Sequence, residues 1–127
     1  MALQLIEPLD YADFVHLLSA SWLIASDSGG VVEEAPTLGK PVLVLRDTTE
    51  RLEAINCGVA KLVGRSADYL NDLLEQVIES DEWPQAARRA INPFGAGDAS
   101  QRILSAINAR YGDPFNTASP VNRMTTQ

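Results

Sequence analysis

Cysteine is almost missing from this 127-residue chain: Cys57 stands alone, which excludes an intrachain disulfide and an all-cysteine zinc site and fits a reducing, cytoplasmic setting. Histidine is equally scarce, and the single His16 reads as a surface or edge residue. Positive charge is in short supply, with ten Lys plus Arg against seventeen Asp plus Glu and a net charge of −7. Such a surface repels phosphate backbones and anionic lipid, so neither nucleic acid nor membrane is an expected partner. Long apolar runs are missing too. Pro41–Leu45 and Trp22–Ala25 fall far short of the roughly 20 residues that cross a bilayer. The N-terminus has no basic n-region, and Glu7 and Asp10 interrupt any apolar core, so it does not read as a secretory signal. No internal repeat or low-complexity segment breaks the chain.

What is present is ordinary globular composition, 46% hydrophobic and 21% charged. The length predicts one compact domain, placed here over residues 1–111, followed by a polar, Pro-containing tail over 112–127. Gln4–Ile6 reads as a short strand. A helix over Tyr11–Ala20 follows, with Asp10 as its N-cap. Trp22–Ala25 reads as a buried strand feeding the turn Ser26-Asp27-Ser28-Gly29-Gly30. Val31–Leu38 is then helical and closed by Gly39, and Pro41–Leu45 is a strand buried on both faces. Glu50–Asn56 is a short helix, Lys61–Val63 a strand, and Ser66–Glu79 an amphipathic helix turning Leu70, Leu73, Leu74, Val77 and Ile78 inward. Cys57 is expected to pack as a small apolar residue at the end of its helix. Asp81–Ala90 is helical, Asn92–Asp98 is a glycine-punctuated loop, and Asp98 with Gln101 forms a capping-box-like start to a last helix ending near Arg110. Strands alternating with helices predict an α/β fold with a three-layer parallel sheet.

In such sheets ligands bind beyond the carboxyl ends of the strands, which singles out the loop Asp27-Ser28-Gly29-Gly30. Glycines admit close backbone approach, and the first N–H groups of a helix have no intrahelical partner, which suits a diphosphate. The same four residues also read as a tight turn with Asp27 or Ser28 as N-cap. The loop is neither a Walker A motif nor a G-x-G-x-x-G fingerprint, which removes support for NTP hydrolysis and NAD chemistry. Glu33 and Glu34 fall in the expected first turns of the helix, where carboxylates favour its dipole. A carboxylate there is also placed to accept both hydrogen bonds of a ribose diol. On the same rim of the sheet, Arg46-Asp47-Thr48-Thr49-Glu50-Arg51 offers two arginines to a diphosphate. It reads equally as a helix start capped by Asp47 or Thr48 with solvated arginines.

The segment Glu7-Pro8-Leu9-Asp10-Tyr11 and the long run from Ser26-Asp27-Ser28-Gly29-Gly30 through Glu33-Glu34-Ala35-Pro36 and Gly39-Lys40-Pro41 to Asp47-Thr48-Thr49-Glu50-Arg51 resemble the non-hydrolysing UDP-N-acetylglucosamine 2-epimerases. The similarity resumes at Asn92-Pro93-Phe94-Gly95-Ala96-Gly97-Asp98 and extends from about Leu5 to Arg110. The resemblance implies a Rossmann-like domain, the truncated second domain of the two-domain GT-B arrangement. Its partner ligand would be UDP or UDP-N-acetylglucosamine, with no cofactor and no metal. Carried over by position, Ser28, Gly29 and Gly30 would hold the diphosphate, Glu34 the ribose hydroxyls, Arg51 the phosphates, and Phe14 would pack on uracil.

The family interconverts UDP-N-acetylglucosamine and UDP-N-acetylmannosamine by removing the C2 proton, eliminating UDP and re-adding it. The carboxylates for that proton transfer lie in the family's first domain, and its His-Arg-Arg-Glu-Asn segment has no match here. Leu52 stands where the pattern has proline, an exchange expected to shift the next helix and loosen Arg51. Ala96 and Phe94 replace an aspartate and a tyrosine. The resemblance therefore implies a UDP-binding half that does not epimerise alone. It would be completed by an N-terminal half, or associate with itself through an open sheet edge at Gln4–Ile6 or the strand beside it. A stand-alone UDP-sugar binding module and a ligand-free remnant are the alternatives.

Overall fold

The computed structural model describes residues 3–112; most of the expected tail over 112–127 lies outside them. The chain divides into two compact units, one running to Phe94 and one beginning at Gly95. In the first unit the elements follow the local chemistry closely. Helix α1 (Tyr11–Ala20) starts where the Asp10 carboxylate accepts the Asp13 N–H at 2.9 Å. Strand β1 (Ile24–Ser26) leads through the glycine loop into α2 (Gly29–Glu34), capped by Ser28. Beyond it come β2 (Val42–Val44), α3 (Leu52–Asn56), β3 (Ala60–Leu62), α4 (Ala67–Glu79), capped by Ser66, and α5 (Glu82–Arg89).

The helix after the glycine loop is shorter than its sequence predicts. Pro36 has no N–H to return to Val32 and its ring collides with that carbonyl, so α2 stops at Glu34 and one turn of 3-10 helix carries the chain over Ala35–Leu38. Gly39, at φ 65°, closes this turn: its N–H bonds Pro36 O and the Lys40 N–H bonds Ala35 O, both at 3.0 Å, the paired bonds of a Schellman ending.

The three strands are parallel in the order β1-β2-β3, with Ile24 beside Val42 and Val44 beside Leu62. The central strand β2 is buried at every residue. Val42 and Val44 face one way, into a core with Leu18, Ile24, Val32, Ala54 and Val59 contributed by α1, α2, α3 and their flanks. Leu43 faces the other way, against Val63, Leu73 and Val77 under α4. Helices therefore cover both faces of a parallel sheet, the predicted three-layer α/β architecture.

Several local expectations are overturned. Gln4–Ile6 is not a strand, because no neighbouring strand among the described residues takes its backbone bonds, and Leu3 and Leu5 are 87% and 88% exposed. The sheet edges are β1 and β3 instead. Ile78 is 67% exposed rather than inward. At 100° per residue it lies about 120° from the centre of the stripe set by Leu73 and Val77, outside the buried face. Cys57 is exposed, since it serves as the C-cap of α3 and not as core. In the second unit, α6 (Ala99–Tyr111) forms as expected but without the capping box. Asp98 sits at φ −95°, ψ 9°, not in the extended conformation that lets an N-cap side chain reach back to the helix, and it makes no capping bond.

Leu43→Ala is expected to lower stability by about 2–5 kcal/mol, the range for emptying a buried leucine site, whereas Ile78→Ala should stay within about 0.5 kcal/mol of the parent. Urea unfolding followed by circular dichroism separates the two, and a large loss at Ile78 would contradict its exposed position.

Candidate functional site

The carboxyl ends of β1 and β2 carry the two clusters singled out above. At the end of β1, Ser26 Oγ accepts the Ser28 N–H at 3.1 Å and turns the chain. Ser28, extended at φ −79°, ψ 122°, is the N-cap: its Oγ accepts from the Val31 N–H at 3.5 Å and its carbonyl from the Val32 N–H at 3.2 Å. Between them the N–H groups of Gly29 and Gly30 have no acceptor among the described residues. Neither glycine has a positive φ. At Gly29 a Cβ would stand 3.0 and 3.1 Å from Cζ and Nη2 of Arg51, so a larger residue would push the guanidinium aside by a few tenths of an ångström. Gly30 is different: a Cβ would find only Ser28 Oγ at 3.8 Å, so nothing within the described chain demands its small size.

Arg51 lies across this loop. Its Nε donates to Glu33 Oε1 at 2.8 Å and its Nη1 to Glu50 Oε1. Helix α3 begins at Leu52, its backbone start held by the Arg51 N–H on Thr49 Oγ1 at 3.1 Å, and neither Asp47 nor Thr48 caps it. Arg46 pairs with Glu50 at 3.7 Å, and Arg65 pairs with Asp47 at 3.5 Å. Asp27, Leu45, Arg46, Asp47, Thr48, Glu50 and Arg65 line an open cleft of about 550 Å³ along this rim. None of the six predicted site residues lines it.

Glu33 and Glu34 do not sit in a first helical turn, because α2 is six residues long and they end it. The positive charge at the loop thus comes from Arg51 more than from a helix dipole. Glu34 points away from Arg51, toward α1, and accepts the Tyr11 hydroxyl at 3.0 Å. That hydrogen bond, and secondly the carboxylate charge, hold the Tyr11 phenol above its ordinary pKa of 10.0. Phe14, one turn further along α1, is half-buried and packs against the core beneath α2. The structure therefore gathers Ser28, Gly29, Gly30 and Arg51 in one place and Glu34 with Tyr11 in a second, with Phe14 on the helix that carries Tyr11. Sequence reasoning passed over Tyr11 and left Glu33 without a part of its own. The signal for Glu33 was its spacing of four from Gly29, which puts both on one face of α2. His16 is exposed on α1. Among the described residues no three His, Cys, Asp or Glu side chains form a metal-binding group, and no helix is long and apolar enough to cross a membrane.

A glycine loop opening a helix at the carboxyl edge of a parallel sheet, covered by helices on both faces, defines a partial Rossmann-like domain. A sequence model described as UDP-N-acetylglucosamine 2-epimerase matches residues 1–108. The chain belongs to the UDP-N-acetylglucosamine 2-epimerase family. It is 48% identical over 103 residues to the UDP-N-acetylglucosamine 2-epimerase of Escherichia coli, a match covering 81% of this chain and 27% of that protein. Among solved structures, the Neisseria meningitidis UDP-GlcNAc 2-epimerase bound to UDP-GlcNAc is 49% identical with a TM-score of 0.74, covering 82% of this chain and 28% of that one. The Staphylococcus aureus MnaA–UDP co-structure is 40% identical with a TM-score of 0.79, covering 84% and 29%. The chain thus spans less than a third of the length of the relatives it matches, as the resemblance to a partial, single domain of a GT-B fold implies.

NMR titration of the tyrosine ring resonances should show Tyr11 ionising above the ordinary phenol range in the parent chain and at lower pH in Glu34→Gln. The carboxylate accepts the phenolic proton and its charge opposes the phenolate, so its removal can only ease ionisation. An unchanged titration would mean that the two groups do not meet in solution.

Proposed function

We propose that the domain over residues 1–111 is the UDP-binding part of a UDP-N-acetylglucosamine 2-epimerase working in the cytoplasm. Ser28 and the N–H groups of Gly29 and Gly30 take the diphosphate, Arg51 neutralises it, Glu34 accepts the ribose hydroxyls and Phe14 packs at the uracil end. The observation that carries this reading is the guanidinium of Arg51 lying over Gly29, beside two N–H groups without acceptors. A guanidinium nitrogen without an acceptor, Nη2, next to two backbone N–H groups offers a phosphate several donors on one side. The relatives crystallised with UDP and with UDP-GlcNAc support the ligand class.

In the reaction these groups bind the nucleotide and stabilise UDP as it departs, an electrostatic part. They are not poised to take the C2 proton. Glu33 and Glu50 are engaged by Arg51, and Glu34 by Tyr11. Acid and base for that step come from an N-terminal half of the enzyme, joined at the open edge of β1. A second copy of the chain docking there is the competing arrangement.

Calorimetric titration with UDP tests the reading. Saturable binding is expected, weakened about tenfold or more in Arg51→Ala, since a hydrogen bond to a charged group contributes about 1.5–3 kcal/mol. A folded chain that does not bind UDP, or an Arg51→Ala variant that binds it equally well, would overturn it. With UDP-N-acetylglucosamine in deuterated water, the chain alone should leave the C2 proton unexchanged by mass spectrometry; exchange would place a base among the residues present.

A further inference from the structure

Arg51 has five N–H donors in a rigid fork, and the structure divides them unevenly. The Nε–H goes to Glu33 at 2.8 Å and Nη1 goes to Glu50, while Nη2 has no acceptor among the described residues and lies 3.1 Å from where a Cβ of Gly29 would stand. Two of the guanidinium nitrogens are held and the third is left facing the glycine loop. The two anchors are not equivalent. Glu50 is Arg51's own neighbour, is the more exposed of the two, and is shared with Arg46. Glu33 belongs to α2, the element that also carries Gly29 and Gly30, and it stands four residues, one turn, beyond Gly29 on the same helical face. A guanidinium bonded to Glu33 through Nε therefore lies over Gly29, one turn back toward the loop.

We infer that Glu33 is a positioning residue: it fixes the distance and rotation of Arg51 against α2, so that Nη2 meets a phosphate oxygen bound at Gly29 and Gly30. This deepens the UDP-binding reading and rests on it. Glu33 also has an opposing effect, because a carboxylate beside Arg51 reduces the positive charge offered to an anion. The two effects predict opposite signs on its removal, which makes the assignment testable. If orientation governs, losing the carboxylate weakens diphosphate binding; if charge governs, the same loss strengthens it.

The measurement is binding of UDP, and of uridine by NMR titration, to the parent chain, Glu33→Ala, Glu33→Gln, Arg51→Ala and the double variant Glu33→Ala/Arg51→Ala. Glu33→Ala is expected to weaken UDP five- to tenfold and to leave uridine unchanged. Glu33→Gln keeps an acceptor for the Nε–H and should bind UDP within twofold of the parent or tighter. In the Arg51→Ala background Glu33→Ala should cost nothing further. Equal or tighter UDP binding by Glu33→Ala, an equal loss for uridine, or a loss additive with Arg51→Ala would each overturn the inference. A readout without ligand runs alongside: the Arg51 Nε–H resonance of labelled protein should exchange slowly in the parent and Glu33→Gln and broaden away in Glu33→Ala. A protected Nε–H in a folded chain that binds no UDP would sink the UDP reading while leaving Arg51 held by Glu33. An Nε–H that exchanges freely in the parent would sink the positioning itself.

Discussion

Three consecutive residues, Val42-Leu43-Val44, hold the first unit together. In a strand successive side chains leave on opposite faces, so burying all three forces helices onto both sides: Val42 and Val44 gather α1, α2 and α3, and Leu43 gathers α4. Parallel pairing to β1 and β3 on either side then aligns the strand ends, and this alignment makes the site. The loop after β1 and the arginine cluster after β2 are 18 residues apart between Glu33 and Arg51, yet they leave one rim of one sheet. Contact between Arg51 and Gly29 follows from strand register, without any covalent or metal link.

A chain with a net charge of −7 does not attract anions from a distance, so the diphosphate recognition proposed for it has to be local, within about a Debye length of 8 Å. The rim meets this need by keeping its cations paired rather than bare: Arg46 with Glu50, Arg51 with Glu33 and Glu50, Arg65 with Asp47. These pairs are partly solvated, and such pairs contribute about 0–1 kcal/mol each. That is enough to order long side chains and too little to keep them from a stronger partner. A phosphate offering charge-assisted bonds at about 1.5–3 kcal/mol can share or displace a carboxylate on Arg51. The same argument gives Glu33 and Glu50 different parts in the fold: one ties Arg51 to the loop-bearing helix, the other ties it to its neighbours on the rim.

Much of this was readable from the sequence where the cause is local. Asp10 announces a helix start because capping is a matter of three or four residues, and of the two candidates Asp27 and Ser28 it is Ser28 that caps α2; Pro41–Leu45 announces a buried strand because it offers no polar face. The turn from β1 into α2 through Ser26 and Ser28 was legible for the same reason. What failed was either nonlocal or a matter of phase. Gln4–Ile6 has the composition of a strand, but a strand exists only when another strand accepts its bonds. Ile78 has the right chemistry and the wrong angle, being one residue past a stripe that Leu73 and Val77 already fill. The early end of α2 was written in Pro36, yet its consequence, that Glu33 and Glu34 leave the helix end in different directions, needed the packed structure. Glu34 turns to Tyr11 on α1 and Glu33 to Arg51 before α3, and spacing alone did not separate two adjacent carboxylates.

The two edges of the sheet are built differently, and the difference bears on which of them can accept another strand. Along β3, Lys61 sits on the strand with its ammonium 4.6 Å from the centre of the Trp83 ring, and Trp83 is itself fixed by its indole N–H on the Gly58 carbonyl at 2.8 Å. A charged, clasped side chain on an edge discourages another strand from pairing there. Among the described residues strand β1 has no such device. Ile24 and Ser26 turn their backbone bonds toward β2, through Ile24 N–H to Pro41 O and Leu45 N–H to Ser26 O. In a parallel pair the alternate residue then turns its N–H and C=O outward. That residue is Ala25, small, uncharged and exposed. The strand left open is also the one that ends in Ser26 and feeds the glycine loop, so a segment pairing with β1 would be brought directly beside Ser28, Gly29 and Gly30. The edge that feeds the glycine loop is therefore the one whose side chains leave it accessible to another strand, whereas the opposite edge carries a charged, clasped side chain that discourages pairing.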